Sequence, residues 1–286
     1  MSSRATVPSQ HKRRLQAHFG FTKMPFVKNL AAANMFDSRS QRELLAGLQM
    51  WTELRGIALV IGQSGVGKSI SLRSFLRSLD DTRFHILKFS HLPTTPAGLL
   101  RSLCRLFGLP MRLHASDLFD SAQSYLVSYQ QDHGPHPLLV IDDIEGLGVA
   151  SFDLLRRLTA YDLDADDRFS ILFAGTEEVM PTLHHHSLEP LCGRIGYALP
   201  LRPFSLEDTQ NYIRFHLSRV DADPNLFSDP AIQRIFQASR GRPRLINQLS
   251  VSLLIQAAIT GLDVIDGDMA ATQIAAHPFY QTQPEA

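Results

Sequence analysis

The sequence predicts an α/β fold, a parallel sheet with helices on both faces, followed by a small all-helical domain. Three observations lead there. Short, almost wholly apolar runs alternate with segments whose apolar residues recur at helical spacing, and such runs are strands shielded on both faces by crossover helices. The first run, Ile57 to Ile61, passes directly into Gly62-Gln63-Ser64-Gly65-Val66-Gly67-Lys68-Ser69 and then into an amphipathic pattern. From Ser205 onward the strand signal disappears and only helical patterns remain.

Taken in order, the chain opens on a basic leader: Arg4, Lys12, Arg13, Arg14, Lys23 and Lys28 precede Asp37 with no acidic residue among them. This suits a polyanion or an acidic neighbour, and equally a solvated tail. Phe19-Gly20-Phe21 and Pro25-Phe26 put aromatic rings into a stretch too irregular for a helix, so packing on the main domain is expected. Leu44, Leu45, Leu48, Trp51 and Leu54 recur at helical spacing until Gly56. After the glycine-rich loop, the helix from Lys68 carries Leu72, Phe75, Leu76 and Leu79, and Asp80-Asp81 ends it before a second strand, Phe84 to Phe89. Helices near Pro96 to Phe107 and Ser116 to Gln131 lead to the buried strand that ends in Asp142-Asp143. A helix over Ser151 to Thr159, a strand over Phe169 to Ala174 and a last strand near Tyr197 to Leu201 follow. The patterns Glu207 to Arg219, Pro230 to Ala238, Pro243 to Ala258 and Asp266 to Ala275 read as four helices. The expected domains are a flexible leader over 1–18, an α/β nucleotide-binding domain over 19–203, a helical lid over 204–276 and a flexible tail over 277–286.

Composition removes several classes. The 286 residues are 44% hydrophobic, enough for a real core, and no run approaches the roughly 18 apolar residues of a membrane span. Met1 to Gln10 lacks the apolar core of a signal peptide, so a cytoplasmic location with no membrane partner is the default expectation. Cys104 and Cys192 have no CxxC partner, which argues against a zinc site or a disulfide framework. His184-His185-His186 diverge as neighbours and lack a completing ligand set, and Asp162, Asp164, Asp166 and Asp167 lack the glycine and terminal glutamate of a calcium loop. The formal net charge of zero decides nothing about nucleic acid, because binding depends on where charges sit.

Gly62, Gly67, Lys68 and Ser69 match G-x-x-x-x-G-K-[ST] between a strand and a helix, the context that a phosphate-binding P-loop requires. Glycines let backbone N–H groups and the helix N-terminus face the phosphates of ATP, over Gly62 through Ile70. Lys68 reaches the terminal phosphates, and Ser69 ligates Mg2+. A second ligand belongs at a neighbouring strand tip, where Asp142 stands. Asp143 follows as the residue that polarises the attacking water, a methylene shorter than the usual glutamate, which predicts slow hydrolysis. Glu145 is an alternative if the chain bends after the strand, against a plain surface acid. Thr176 either reaches the γ-phosphate or its water, or caps the turn at Glu177-Glu178. Arg194 is a candidate to reach a neighbouring subunit's γ-phosphate, with Arg202 competing. Arg244, in the first turn of the helix opened by Gly241-Arg242-Pro243, is directed at the nucleotide.

These residues resemble the AAA+ ATPases, and within them the ExeA-like family, which includes helpers encoded beside DDE transposases and is related to TnsC and MuB. The resemblance runs from about Phe19 to Ala275. It rests on the Phe-Gly-Phe…Pro-Phe opening, the loop at Gly62 to Ser69, and Leu-Val-Ile-Asp-Asp. It rests further on Gly175-Thr176 as sensor one, Gly193-Arg194-Ile195 at the finger position, and Gly241-Arg242-Pro243-Arg244-Leu245-Ile246-Asn247 as sensor two. The family's Asp-Glu-Ala-Gln or Asp-Glu-Ala-His stands here as Asp142-Asp143-Ile144-Glu145. Secretion members carry a membrane span and a periplasmic part beyond the ATPase, so the transposition branch is expected. The resemblance implies an ATP-dependent homo-oligomer, a ring or helical filament on duplex DNA, that recruits or activates a transposase, with Lys88, His91, Thr94, Thr95, Arg101 and Arg105 as DNA contacts or as ordinary helix surface. The alternatives are an ExeA-type secretion or cell-envelope ATPase, and a slow nucleotide-dependent switch that binds a protein.

Overall fold

The computed structural model describes residues 10–27, 35–89, 92–160 and 168–277. They form two compact units: one over residues 39–64 and 68–202, the other from the described residues up to Ser38, the loop tip Gly65–Gly67 and the residues from Pro203 onward. The aspartate cluster at 162–167, His91, Arg4 and Lys28 lie outside the described residues.

The first unit is a five-stranded parallel sheet in the order β2-β3-β4-β1-β5, with β1 over Ile57–Ile61, β2 over Phe84–Lys88, β3 over His136–Ile141, β4 over Ser170–Gly175 and β5 over Ile195–Pro200. Every residue of β3 and β4 is buried, as the unbroken apolar runs require, whereas the edge strand β5 alternates half-buried and exposed positions. Helix α2, Arg39–Leu54, buries Gln41, Leu44, Leu48 and Trp51 along one stripe and stops where Arg55 (φ 63°) and Gly56 (φ 80°) turn left-handed. Helix α3, Lys68–Ser78, buries Leu72 and Phe75. Helix α4, Pro96–Leu106, starts at Thr95, whose hydroxyl accepts the Gly98 N–H at 3.2 Å, with Pro96 in the first turn. It buries Leu99, Leu100, Leu103 and Cys104, which leaves Arg101 and Arg105 exposed. Helices α5, Ala115–His133, and α6, Val149–Thr159, complete this core. Two single-turn helices, α7 (Met180–Leu183) and α8 (Glu189–Cys192), were not expected from the sequence, because four residues are too few to show a period.

The second unit is helical: α9, Leu206–Ser218; α10, Asp229–Ser239; α11, Pro243–Thr260; and α12, Gly267–Ala276. Ser205 and Asp208 form a reciprocal capping box for α9, while Ser228 and Asp266 cap α10 and α12. Two expectations are corrected here. Residues 10–18, placed in a flexible leader over 1–18, belong to helix α1, Gln10–Phe19, with Leu15 buried. The following aromatics pack in the helical unit and not in the sheet unit: Phe21 and Phe26 are buried among Tyr212, Ile213, Leu217, Val220 and Phe227, and the Thr22 N–H donates to Val220 O at 3.1 Å. The physical reason is supply of apolar surface. A unit built from four helices needs further rings to close its core, and Phe21, Phe26 and Phe36 provide them.

That core also buries polar groups. His216 is 2% exposed, lies 4.9 Å from the Phe26 ring and 4.5 Å from the Tyr212 ring, and its Nε2 has no hydrogen-bond partner. Burial, with Arg219 adding to it, pushes the His216 pKa down to about 4 from an ordinary 6.5, and burial pushes Tyr212 up to about 12 against a hydrogen bond from Asn247. Between the folded value of about 4 and the ordinary 6.5 the unfolded chain binds a proton at this histidine that the folded chain does not. Stability present at neutral pH is therefore lost as pH falls from about 6.5 towards 4, by on the order of 3 kcal/mol when the window is crossed. Urea denaturation at several pH values is expected to show this loss in the wild type and a shallower one in His216→Phe, which keeps a ring in the stack. Equal slopes would exclude His216 as its source.

Candidate nucleotide site

The phosphate loop springs from β1, an interior strand of the sheet between β4 and β5. Ile61, the last residue of β1, pairs with Gly175 at the end of β4, the Gly62 N–H donates to Gly175 O at 3.2 Å, and Leu201 N–H donates to Ile61 O at 2.7 Å. Gly65 and Gly67 adopt φ of +84° and +109°, which a side chain would resist, so glycine at both is required by the backbone path. Lys68 begins α3 with its side chain folded back: Nζ donates to Gly62 O at 2.7 Å and to Gln63 O at 3.3 Å, and the residue is 7% exposed. Ser69 is exposed and Ile70 half-buried. In the helical unit, the Gly65 carbonyl accepts the Arg244 N–H at 3.1 Å, and a Cβ on Gly65 would stand 3.0 Å from that of Arg244. The contact at this position is thus made by Arg244 backbone, and its side chain is exposed.

Asp142 follows β3 directly, half-buried, and its Oδ1 accepts the Asp143 N–H at 3.0 Å. Asp143 is left-handed (φ 57°, ψ 44°) and exposed, and it turns the chain into a 3-10 turn over Ile144–Gly146. Thr176 occupies the N-cap position of the next turn, Glu177–Val179, but its side chain makes no capping bond. Its Oγ1 is buried with no hydrogen-bond partner, and the residue is 9% exposed. Of its two sequence-derived roles, capping by the hydroxyl is therefore not the one made. A buried hydroxyl left unpaired costs about 1–3 kcal/mol, which a ligand able to hydrogen-bond to it would recover.

These residues fit a magnesium-triphosphate group. A buried cation, an exposed hydroxyl at Ser69, a carboxylate at the neighbouring strand tip and an unpaired buried hydroxyl at Thr176 are the donor set it needs. Magnesium bound with ATP would draw charge from the phosphoryl oxygens, and Ser69 and Asp142 would hold it.

Arg194 is half-buried, and Nη1 donates to Arg156 O at 3.2 Å and to Thr159 Oγ1 at 3.0 Å, at the end of α6. Arg202 is exposed, with its backbone N–H held by Ser40 Oγ at 2.8 Å. Lys88 and Thr94 line an open cleft of roughly 390 Å³ together with Phe89, Leu92, Asp142, Asp143 and Gly146, so they face the strand-tip carboxylates. Thr95 is committed to capping α4.

The parallel five-stranded sheet with flanking helices, the phosphate loop after β1 and the helical unit are the fold of P-loop AAA+ proteins. Residues 52–183 match the AAA domain family model. General secretion pathway protein A of Aeromonas hydrophila is 28% identical over 256 residues, covering 88% of this chain. The chain spans only 46% of that curated relative. Among solved structures, the Aeropyrum pernix ORC2 protein in its ADPNP-ADP complexes has a TM-score of 0.65 at 13% identity, covering 90% of this chain and 72% of that one. Drosophila ORC bound to DNA has a TM-score of 0.65 at 12% identity, over 96% and 69%. Among the described residues no helix is long and apolar enough to cross a membrane.

Proposed function

We propose that this ATPase is an ATP-dependent regulator of DNA transposition, which assembles as a homo-oligomeric ring or filament on duplex DNA and recruits or activates a transposase. The observation that carries the DNA contact is the stretch from Lys88 to Ser116. It contains no acidic residue, and Arg101, Arg105 and Arg112 are all exposed on the unit that bears Lys68. Cations of one sign without intervening acids are what phosphate contacts require, and such contacts need no base recognition. The DNA-bound ORC neighbour lends fold-level support only.

In this reading Mg-ATP is held by Gly62 to Ile70 with Ser69 and Asp142, Thr176 and Arg244 report the γ-phosphate, and ATP bridges subunits through Arg194. For that bridge the Arg194 guanidinium exchanges its bonds to Arg156 and Thr159 for a neighbour's phosphate. Negative-stain microscopy of the chain with plasmid DNA and a non-hydrolysable ATP analogue tests the reading: coated DNA is expected, and bare DNA at low salt overturns it. Arg194→Ala is expected to abolish the ATP-dependent coat while sparing nucleotide binding by isolated subunits, and a coat of wild-type extent would transfer the role to Arg202. A secretion-type motor is the second reading, favoured by the likeness to general secretion pathway protein A. It predicts ATP turnover indifferent to DNA.

A further inference from the structure

We propose that Glu145, and not Asp143, is the carboxylate that orders and deprotonates the water attacking ATP. The inference rests on the ATPase reading and assigns the base within it. The starting observation is the left-handed backbone at Asp143, a conformation that costs a non-glycine residue about 1–2 kcal/mol. Its consequence is a reversal of the chain at the tip of β3. Ile144 becomes fully buried, and Glu145 is carried sideways onto the end of β4, where its Oε2 accepts the Thr176 N–H at 3.2 Å.

Gly175 shows how closely the turn is fitted. A Cβ there would lie 2.6 Å from Ile144 Cγ1 and 3.0 Å from Glu145 Oε2. The same glycine pairs with Ile61 and accepts the Gly62 N–H. The Glu145 carboxylate therefore stands at the end of β4, the strand that pairs with β1, from which the phosphate loop springs. The residue whose N–H holds it, Thr176, is also the one with the buried and unpaired hydroxyl. A carboxylate oxygen and a hydroxyl presented by one residue pair can share one water, the first accepting its proton and the second either donating to it or accepting from it. Asp143 lines the open cleft with Asp142, Lys88 and Thr94.

In the reaction, the water oxygen forms a bond to the γ-phosphorus while the bond from that phosphorus to the β,γ-bridging oxygen breaks. Its electron pair leaves with ADP, and the water proton passes to the Glu145 carboxylate and then to solvent. A purely structural role for Glu145, bracing the Thr176 N–H, is the competing account. Glu145→Gln separates them, because a glutamine carbonyl still accepts that N–H but takes no proton.

Steady-state turnover, affinity for a fluorescent ATP analogue and the pH–rate profile are measured for wild type, Glu145→Gln and Asp143→Asn. Glu145→Gln is expected to lower kcat by on the order of 10²-fold or more, with affinity within about twofold and the acidic limb of the profile gone. Asp143→Asn is expected to show the smaller loss, under about tenfold with that limb retained. Near-wild-type turnover in Glu145→Gln, or the larger loss in Asp143→Asn, overturns the assignment and leaves the ATPase standing. Should Glu145→Gln fail to fold, the Asp143→Asn result decides alone. A wild-type chain that binds ATP without any turnover overturns both.

Discussion

Lys68→Ala is expected to lower ATP turnover by on the order of 10²–10³-fold while leaving a folded protein, because one positioned charge on developing phosphoryl charge contributes about that much. Lys68 has two tasks, and their magnitudes separate them. Towards its own loop it donates to Gly62 and Gln63 carbonyls, and charged hydrogen bonds contribute about 1.5–3 kcal/mol each. Gln63 is exposed, so water replaces the lysine there, and the net loss is a fraction of the 5–15 kcal/mol that typically holds a domain. Towards ATP the cation has no such replacement, since water carries no charge to the phosphates. Circular dichroism and thermal melting should therefore change little while phosphate release collapses. Turnover within about threefold of wild type would remove Lys68 from the chemistry.

Most of the sheet was legible in the sequence because its determinants are local. Ile57 to Ile61 followed by a glycine loop and an amphipathic helix can form little other than a strand, a turn and a helix, and the elements lie where the patterns put them to within one or two residues. The glycine-loop turn between them was legible for the same reason, as was the stop at Gly56. What the sequence concealed is long-range. Phe21 and Phe26 visibly need cover, but nothing near them says that cover comes from Tyr212, Val220 and Phe227, about two hundred positions away. Gln10 to Phe19 carries many polar residues and a single buried leucine, Leu15, so its helix shows no apolar stripe. Glu145 was legible only as one acid among several, since its placement depends on the left-handed turn at Asp143 and on the missing side chain at Gly175. Gly241 is a further case: the sequence suggested a helix opening, whereas the structure shows that the requirement is room for Phe204.

Gly241→Ala is accordingly expected to cost the helical unit far more than an ordinary glycine substitution. Gly241 has φ of +69°, and an added Cβ would stand 2.0 Å from Phe204 O, 2.9 Å from Phe204 C and 3.0 Å from Phe204 N. All three are backbone atoms, and the Phe204 N–H is tied to Gly241 O at 2.8 Å, so the obstacle cannot swing aside as a side-chain tip would. Gly261 supplies the control within the same unit, with φ of +71° and open space where its Cβ would go. Alanine at Gly261 incurs only the left-handed backbone cost, about 1–2 kcal/mol, whereas alanine at Gly241 adds an overlap that the chain relieves only by breaking the Phe204 bond and moving α11. With roughly 4–8 °C of melting temperature per kcal/mol in a domain of this size, Gly261→Ala should melt about 5–15 °C below wild type. Gly241→Ala should melt at least about 10 °C lower again, or fail to accumulate as folded protein. If the two variants melt together, backbone handedness alone accounts for both glycines and the close approach to Phe204 carries no energy.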